Sequence, residues 1–152
     1  MARIRPYAPP DRDAVLALAP RLTQGVAPWR DPDAVHAAAL EWVRGSIDAP
    51  SADGDQLLLV AERDERIVGF VDAAERRHWS GALDVYVGEL VVERTAEGRG
   101  VGRGLVDAVR DWAGRRGIAA ITLETGAANE PARAFYAALG FAEESVRLTL
   151  RL

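Results

Sequence analysis

The chain has 152 residues, 49% of them hydrophobic, a length and composition that suit a single domain with a buried core. It lacks cysteine, which excludes disulfides, thiolate metal sites and a cysteine nucleophile. The formal net charge of −4 argues against a nucleic-acid partner. Because the first residues lack the apolar core of a signal peptide and no apolar run reaches membrane-spanning length, we expect a cytoplasmic protein with no membrane partner.

The first fifty residues predict one strand and two helices. Residues 3–7 form a short strand that the Pro9-Pro10 pair ends, and Asp11 can cap the first helix. A second helix is predicted over residues 33–47. The inward faces of these helices are predicted to carry Val15, Leu18 and Leu22 on the first and Val35, Ala39, Trp42 and Val43 on the second.

The middle of the chain predicts three consecutive strands. A polar loop at residues 51–55 leads to strands over 56–62, 66–74 and 83–92, and Asp64-Glu65 makes a tight turn between the first two. We therefore expect an antiparallel run of three strands here.

The last third of the chain alternates between helix and strand. After a central helix that ends near Gly117, the sequence predicts a strand over residues 118–125 and a helix from Asn129 to Gly140. A strand, a helix and a strand in succession call for a parallel, right-handed crossover. A final strand, whose edge could pair across a homodimer, is predicted from the alternating residues Val146, Leu148, Leu150 and Leu152. The predicted order is β-α-α-β-β-β-α-β-α-β, an α/β arrangement on a mixed sheet.

The stretch from Gly88 to Trp112 joins an apolar strand to the central helix through four closely spaced glycines. These glycines and two arginines form the run Gly98, Arg99, Gly100, Val101, Gly102, Arg103 and Gly104. Such a turn lets the backbone approach a ligand closely, and the free amides and the dipole at a helix start favour a phosphate. The alternative is a tight strand-to-helix connection whose glycines serve only positive φ angles and close packing.

Two common phosphate-binding loops do not match this spacing. A Walker loop ends in Gly-Lys-Ser/Thr, whereas Leu105 and Val106 follow Gly104. A dinucleotide-binding fingerprint requires a third glycine where this chain has Arg103 or Leu105, depending on which glycine begins the motif. The loop therefore predicts a different phosphate ligand.

Residues 97–102, Glu-Gly-Arg-Gly-Val-Gly, resemble the coenzyme A loop of the GNAT acyltransferase superfamily, Gln/Arg-x-x-Gly-x-Gly/Ala. A second block over residues 129–141, NEPARAFYAALGF, is similar to a later helix of that family, with its Asn, its Tyr and its Gly-Phe ending. Glu97 is the departure, because the family usually has Gln or Arg there. The resemblance implies a single GNAT domain over residues 1–152, with a mixed, mostly antiparallel sheet flanked by about four helices.

The resemblance also implies an activity, the direct transfer of an acetyl group from acetyl-CoA to a primary amine within a ternary complex, without a metal. The acceptor is expected to be a small molecule. A protein N-terminus or lysine is an alternative acceptor, and a non-catalytic coenzyme A-binding regulatory module is an alternative function. The positions implied to bind the cofactor are Leu90, Val91, Val92, Gly98, Arg99, Gly100, Val101, Gly102, Arg103, Gly104, Asn129 and Tyr136. A bulge near the three strand residues would free their backbone amides.

Two residues are candidates for acid–base catalysis. Glu89 lies in an apolar strand, where partial desolvation would raise the pKa of its carboxyl group and make it a better base for the amine. The alternative is a carboxylate paired with an arginine at the sheet edge. The phenol of Tyr136 is protonated at neutral pH and can donate a proton to the departing thiolate. Spacing alone favours core packing for Tyr136, and the resemblance favours the general acid.

Trp29 is a candidate for the acceptor pocket, which it would line together with Glu89. In the family that the chain resembles, the segment between the first two helices helps to shape that pocket. The alternative is that Trp29 covers the core.

Overall fold

A five-stranded sheet forms the centre of the computed structural model, which describes residues 1–49 and 54–152. Its strands are β1 (Arg3–Pro6), β2 (Gln56–Arg63), β3 (Arg66–Arg77), β4 (Leu83–Val92) and β5 (Ile121–Leu123). They lie side by side in this order; β1 to β4 are antiparallel, and β5 is parallel to β4. The predicted mixed, mostly antiparallel sheet is confirmed. Most of the loop predicted over residues 51–55 lies outside the described residues.

Four α-helices flank this sheet in the described residues. They are α1 (Arg12–Leu18), α2 (Pro32–Asp48), α3 (Val101–Arg115) and α4 (Glu130–Ala138). The apolar side of α3 packs on one face of the sheet, and α1 and α2 cover the other face. None of the helices built by residues 1–49 and 54–152 has the length and apolar character that a bilayer crossing requires.

The first helix differs from its prediction at both ends. It stops at Leu18 and continues as a 3-10 turn over Ala19–Thr23, so it is shorter than the apolar pattern indicates. The carboxylate of Asp11 does not cap it. That carboxylate accepts from the backbone amide of Ala8 at 2.8 Å and pairs with Arg5 at 2.7 Å, because a charged partner outcompetes the helix amides.

Trp42 is 57% exposed, so its predicted inward position is wrong. The buried stripe of α2 includes Ala39 and Val43, which lie four residues apart. Trp42 is one position before Val43 and therefore points about 100° away around the helix. Trp42 and Ser46 lie four residues apart and therefore share a face of the helix.

Residues 141–152 form no helix or strand, so the predicted final strand is wrong. Its four alternating apolar side chains are 73% to 117% exposed. A strand needs a neighbour for its backbone hydrogen bonds, and the adjacent β5 is itself shorter than predicted. Side chains hold the segment instead: Arg147 lies 4.0 Å from Glu124, and the guanidinium of Arg151 lies 5.8 Å from the ring centroid of Trp29. The homodimer contact predicted at this strand's edge therefore has no strand on which to form.

Candidate active site

β4 and β5 pair over only three residues, and we call the space beside β4 beyond this pairing the cleft. β5 pairs with Val85–Val87, and β4 then continues to Val92 with no strand beside it on that side in the described parts of the chain. The backbone amides of β4 that face this side beyond the pairing are therefore available to a ligand in this cleft.

The direction of each backbone group decides which amides face this cleft. The amide of Glu93 donates to β3 at 2.7 Å, and the carbonyl of Val92 faces the other way, where it accepts from Arg21 Nε at 3.1 Å. Because backbone groups alternate along a strand, the amides of Leu90 and Val92 face the open side and that of Val91 faces β3. Two of the three strand amides predicted to bind the cofactor thus border the cleft.

The glycine loop presents free backbone amides at the start of α3. Gly98 and Gly100 have φ angles of +69° and +80°, and an added Cβ on either would meet nothing within 4 Å. The first helical hydrogen bond runs from the amide of Gly104 to the carbonyl of Gly100, and no side chain caps the helix. The amides that lack a helical acceptor are those of Val101, Gly102 and Arg103. An open turn with three such donors fits a phosphate group.

Of the other two glycines of the loop, packing requires only Gly102. A Cβ on Gly102 would lie 3.1 Å from Cζ of Phe135 on α4, and one on Gly104 would lie 3.7 Å from Ile4 on β1. Close packing therefore accounts for Gly102, whereas 3.7 Å at Gly104 is an ordinary contact distance. Gly98 and Gly100 have the positive φ angles that a tight connection also requires, and the binding of a phosphate by the loop stays a prediction.

A bulge in β4 lies directly beside Glu89. Asp72 of β3 is opposite Glu89, while Ala73 is opposite Val87, so Gly88 is an extra residue in β4. An added Cβ on Gly88 would lie 2.8 Å from Oδ2 of Asp72. Glycine at this position therefore leaves room for the carboxylate of Asp72 next to Glu89.

The bulge determines which face of the sheet Glu89 occupies. Before it, Val85 and Val87 pack in the core beneath α3; after it, Val91 packs in the core beneath α1 and α2. An unbulged strand of the same sequence would direct Glu89 toward α3. The inserted Gly88 directs it toward α2 instead.

Glu89 is only 7% exposed, and its partners are a hydroxyl and a second carboxyl group. Ser46 Oγ on α2 donates to Glu89 Oε2 at 2.8 Å, and the opposing Asp72 accepts from Gln56 Nε2 at 3.2 Å. Burial raises the pKa of Glu89 to about 7; the hydrogen bond from Ser46 lowers it, and the neighbouring Asp72 raises it. No arginine pairs with Glu89 in the described residues, so the alternative interpretation of Glu89, an ion pair with an arginine at the sheet edge, is not observed there.

Sequence reasoning missed three of the side chains that meet here. Asp72 carried a usable signal, because it is a lone carboxylate in the apolar run of β3, as Glu89 is in β4. Ser46 and Gln56 carried none, since their contacts depend on how α2 and β2 pack. The described residues hold no group of three or more His, Asp or Glu side chains arranged to bind a metal ion.

Tyr136 and Asn129 both belong to α4 but have different surroundings. The ring of Tyr136 packs edge-on against Phe135 and Phe141, with centroids 5.2 and 5.5 Å away. Burial raises the pKa of its hydroxyl to about 12. The side chain of Asn129 caps α4, as predicted, by accepting from the amide of Ala132 at 3.3 Å, and it donates to the carbonyl of Gln24 at 3.4 Å.

The 3-10 turn and the residues that follow it span the cleft. Arg21 contacts the end of β4, and Gly25 packs against Asn129 and Gly126 in the loop between β5 and α4. Trp29 follows Gly25 by four residues, is 45% exposed and contacts Arg151.

Comparisons with known proteins agree with this geometry. The acetyltransferase (GNAT) family matches residues 22–141. The chain is 26% identical over 110 residues to the uncharacterized N-acetyltransferase YhfO of Bacillus subtilis, spanning 72% of this chain and 74% of that protein. It is 34% identical over 82 residues to N-alpha-acetyltransferase 30 of Schizosaccharomyces pombe, spanning 54% of this chain and 55% of that protein.

The fold also matches a solved structure of AAC(6')-Iy in complex with the bisubstrate analog CoA-S-monomethyl-acetylneamine. The TM-score is 0.70 at 23% identity, and the match covers 100% of this chain and 98% of the other. The family match extends from Leu22 in the 3-10 turn to Phe141 just after α4, and so includes the cleft, the glycine loop and Glu89. The chain therefore belongs to the acetyltransferase (GNAT) family and is an acetyl-CoA-dependent N-acetyltransferase.

Proposed function

We propose that this chain acetylates the primary amine of a small molecule by direct transfer within a ternary complex, and that residues 1–152 act as one domain. The observation that carries the proposal is the buried Glu89, with a pKa of about 7, in the strand whose free edge borders the cleft. Base and amide donors then lie within a few residues of one another on β4.

Backbone groups supply most of the proposed cofactor site. The free amides at the start of α3 hold the pyrophosphate beside Gly98 and Gly100, and the exposed side chains of Arg99 and Arg103 add positive charge. The amides of Leu90 and Val92 hold the pantetheine arm and the acyl carbonyl. When bound, acetyl-CoA supplies an acetyl group activated as a thioester.

Three further positions act on this site indirectly. Asn129 caps α4 and ties it to the segment that spans the cleft. The backbone of Val91 joins β4 to β3, and Gly104 lies on the side of α3 that faces Ile4 of β1. Their role is to hold the cleft in shape.

Glu89 is the proposed base. An alkylamine with a pKa near 10.4 is almost wholly protonated at neutral pH, and it must lose a proton to attack. Glu89 accepts that proton, directly or through a water, because a pKa of about 7 leaves much of it ionised at neutral pH. As the new C–N bond forms and the C–S bond breaks, the sulfur leaves with the electron pair, and the nitrogen loses a second proton, which water carries to the thiolate.

Tyr136 is the proposed donor to the departing sulfur. With a pKa of about 12 it keeps its proton at physiological pH, and its hydroxyl has no hydrogen-bond partner in the described residues. A phenol this weak is less acidic than a thiol with a pKa near 8.5, so its hydrogen bond stabilises the thiolate and water completes the protonation.

The acceptor pocket is proposed to lie on the α2 side of Glu89. Trp42, one helical turn before Ser46, offers an exposed aromatic surface near the base, and Trp29 lines the approach from the segment between α1 and α2. Aromatic rings favour the cationic form in which an amine arrives. This arrangement suits a small amine.

Acetylation of protein N-termini is the second candidate. The observation that favours it is the 34% identity to N-alpha-acetyltransferase 30, which exceeds the identity to YhfO although it covers less of the chain. The two candidates share the cofactor site and the base and differ in the acceptor.

An acceptor screen tests the proposal. The protein is incubated with acetyl-CoA and two panels, small amines and peptides with free N-termini, and products are identified by mass spectrometry, with Glu89→Gln as the matched control. Acetylated small amines that depend on Glu89 support the proposal. Acetylation of peptides alone supports the second candidate, and absence of product in both panels overturns both.

A further inference from the structure

We infer that Arg21 is a positioning residue of the coenzyme A site: its guanidinium group holds the carboxylate of Glu97 away from the phosphate loop. It thereby allows an acidic residue to stand directly before an anion-binding turn. This inference rests on the proposed cofactor site, and it concerns binding of the cofactor rather than transfer of the acetyl group.

Arg21 connects two parts of the site that are distant in sequence. It lies in the 3-10 turn Ala19–Thr23, and its side chain is 20% exposed. Its Nη2 pairs with Oε1 of Glu97, and its Nε donates to the carbonyl of Val92 at 3.1 Å. Since Glu97 directly precedes Gly98, one guanidinium group joins the start of the glycine loop to the end of β4.

An unpaired carboxylate at residue 97 would oppose the binding of a pyrophosphate. Glu97 is four residues before Val101, a reach of at most about 14 Å. The chain turns at residues 97–100, so the actual separation is shorter than this limit. Solvent ions screen charges only partly when they lie within the Debye length, which is about 10 Å at 0.1 M salt. The positive charge of Arg21 offsets the negative charge of Glu97, because the two side chains are paired.

The arginines near the loop divide into two kinds. Arg99 and Arg103 are exposed and form no ion pair in the described residues, so they are free to meet a phosphate. Arg21 is already engaged by Glu97 and Val92. Its contribution is therefore to neutralise and orient the loop.

A double-mutant cycle tests this role through the dissociation constant of coenzyme A, measured by calorimetry on the full chain. The variants are Arg21→Ala, Glu97→Gln and the double variant, with Arg12→Ala as the matched control. Arg12 is the first residue of α1 and also pairs with an acid, Asp48, but on the exposed surface. Thermal unfolding establishes that each variant is folded, and Arg21→Gln, which keeps a donor for Val92, replaces Arg21→Ala if that variant does not fold.

We expect Arg21→Ala to weaken coenzyme A binding about tenfold, and Glu97→Gln to leave it unchanged or tighter. The double variant should recover most of the loss, and Arg12→Ala should match the parent. A double variant as weak as Arg21→Ala overturns the inference, as does unchanged binding in Arg21→Ala. A parent that does not bind coenzyme A overturns the proposed cofactor site as well, which distinguishes the two failures.

Discussion

The two halves of the site on β4 are built by different means. Past the end of the strand, backbone amides and two glycines of positive φ form an open turn at the start of α3. At the bulge, side chains from three separate elements, Ser46, Asp72 and Glu89, meet in a buried cluster. The first half depends on conformation and the second on charge and burial.

This difference determines how each half responds to change. A backbone site is disturbed by a side chain that alters φ or fills the space beside the loop, while its amide donors survive every substitution except proline. A side-chain cluster loses its chemistry with one atom, even when the fold is unaltered. Substitutions at the two halves should therefore separate binding of the cofactor from turnover.

The largest expected effect is on turnover at the bulge. Glu89→Gln should lower kcat about 100-fold at neutral pH because the amine loses its base, and the defect should shrink at high pH, where the amine is already neutral. Asp84→Asn, which changes another buried carboxyl group of β4, is the control and should leave kcat unchanged. Steady-state kinetics between pH 6 and pH 10 measure both variants. A defect in Glu89→Gln that is constant across this range would assign Glu89 a structural role.

The same substitution should have the opposite effect on stability. The pKa of Glu89 rises from its ordinary value of 4.5 to about 7 on folding, so its contribution to stability is full below about pH 4.5 and is lost as pH rises toward 7. Glutamine stays neutral, and Glu89→Gln should gain up to about 3 kcal/mol over the parent above pH 7. Denaturant unfolding at pH 5 and pH 8 measures the difference. Equal gains at the two pH values would contradict the pKa shift.

A substitution in the glycine loop should weaken binding without removing a catalytic group. Gly100→Ala places a methyl group in the open turn and should weaken coenzyme A binding about tenfold. Gly117→Ala at the other end of α3 is matched, because its φ is +68° and an added Cβ there also meets nothing within 4 Å. Both should lose about 1 kcal/mol of stability, and only Gly100→Ala should lose affinity. Equal affinities would refute the loop assignment. Gly102→Val is a poorer test, because it would also clash with Phe135.

A smaller loss of turnover is expected at α4. Tyr136→Phe should lower kcat and kcat/KM together, by about tenfold, with coenzyme A affinity unchanged, because the hydrogen bond to sulfur strengthens as the thiolate forms. Stability should change little, since the hydroxyl has no partner in the described residues. Thioesters of more acidic thiols should narrow the gap to the parent. If the gap is the same for every thioester, the hydroxyl does not serve the leaving group.

The smallest effect should be a shift in pH dependence. Asp72 raises the pKa of Glu89, so Asp72→Asn should move the acidic limb of the kcat/KM profile to lower pH while the plateau stays close to that of the parent. In the described residues, Ser46 donates a hydrogen bond to Glu89 and Asp72 lies opposite it on β3. The hydroxyl of Tyr86 on β4 is a further titratable group that interacts with Glu89. A limb that moves to higher pH, or does not move, would show that Asp72 does not influence the base.

The sequence predicted the features that arise from local patterns. The bounds of β4 agree with the prediction, and the Asp64-Glu65 turn adopts the left-handed φ angles that a two-residue hairpin requires. The glycine loop could be predicted because all of its parts are contiguous. The final strand could not be excluded in advance, because alternation indicates a strand but not whether a neighbour will pair with it. The positions of Asp72 and Ser46 beside Glu89 were not predicted, because strand register places Asp72 there and helix packing places Ser46 there.

The bulge at Gly88 also bears on which insertions a strand survives. One extra residue moves every side chain that follows it to the opposite face of the sheet. In a strand with one solvent-exposed face, this change would expose the apolar side chains and bury the polar ones. In β4 the residues that follow are Leu90, Val91 and Val92, and both faces of the sheet are covered, so each finds an apolar core whichever way it points. Because this run is apolar at consecutive positions, the end of the strand tolerates a one-residue insertion. Glu89 is the exception, because the insertion decides which face of the sheet its carboxyl group occupies.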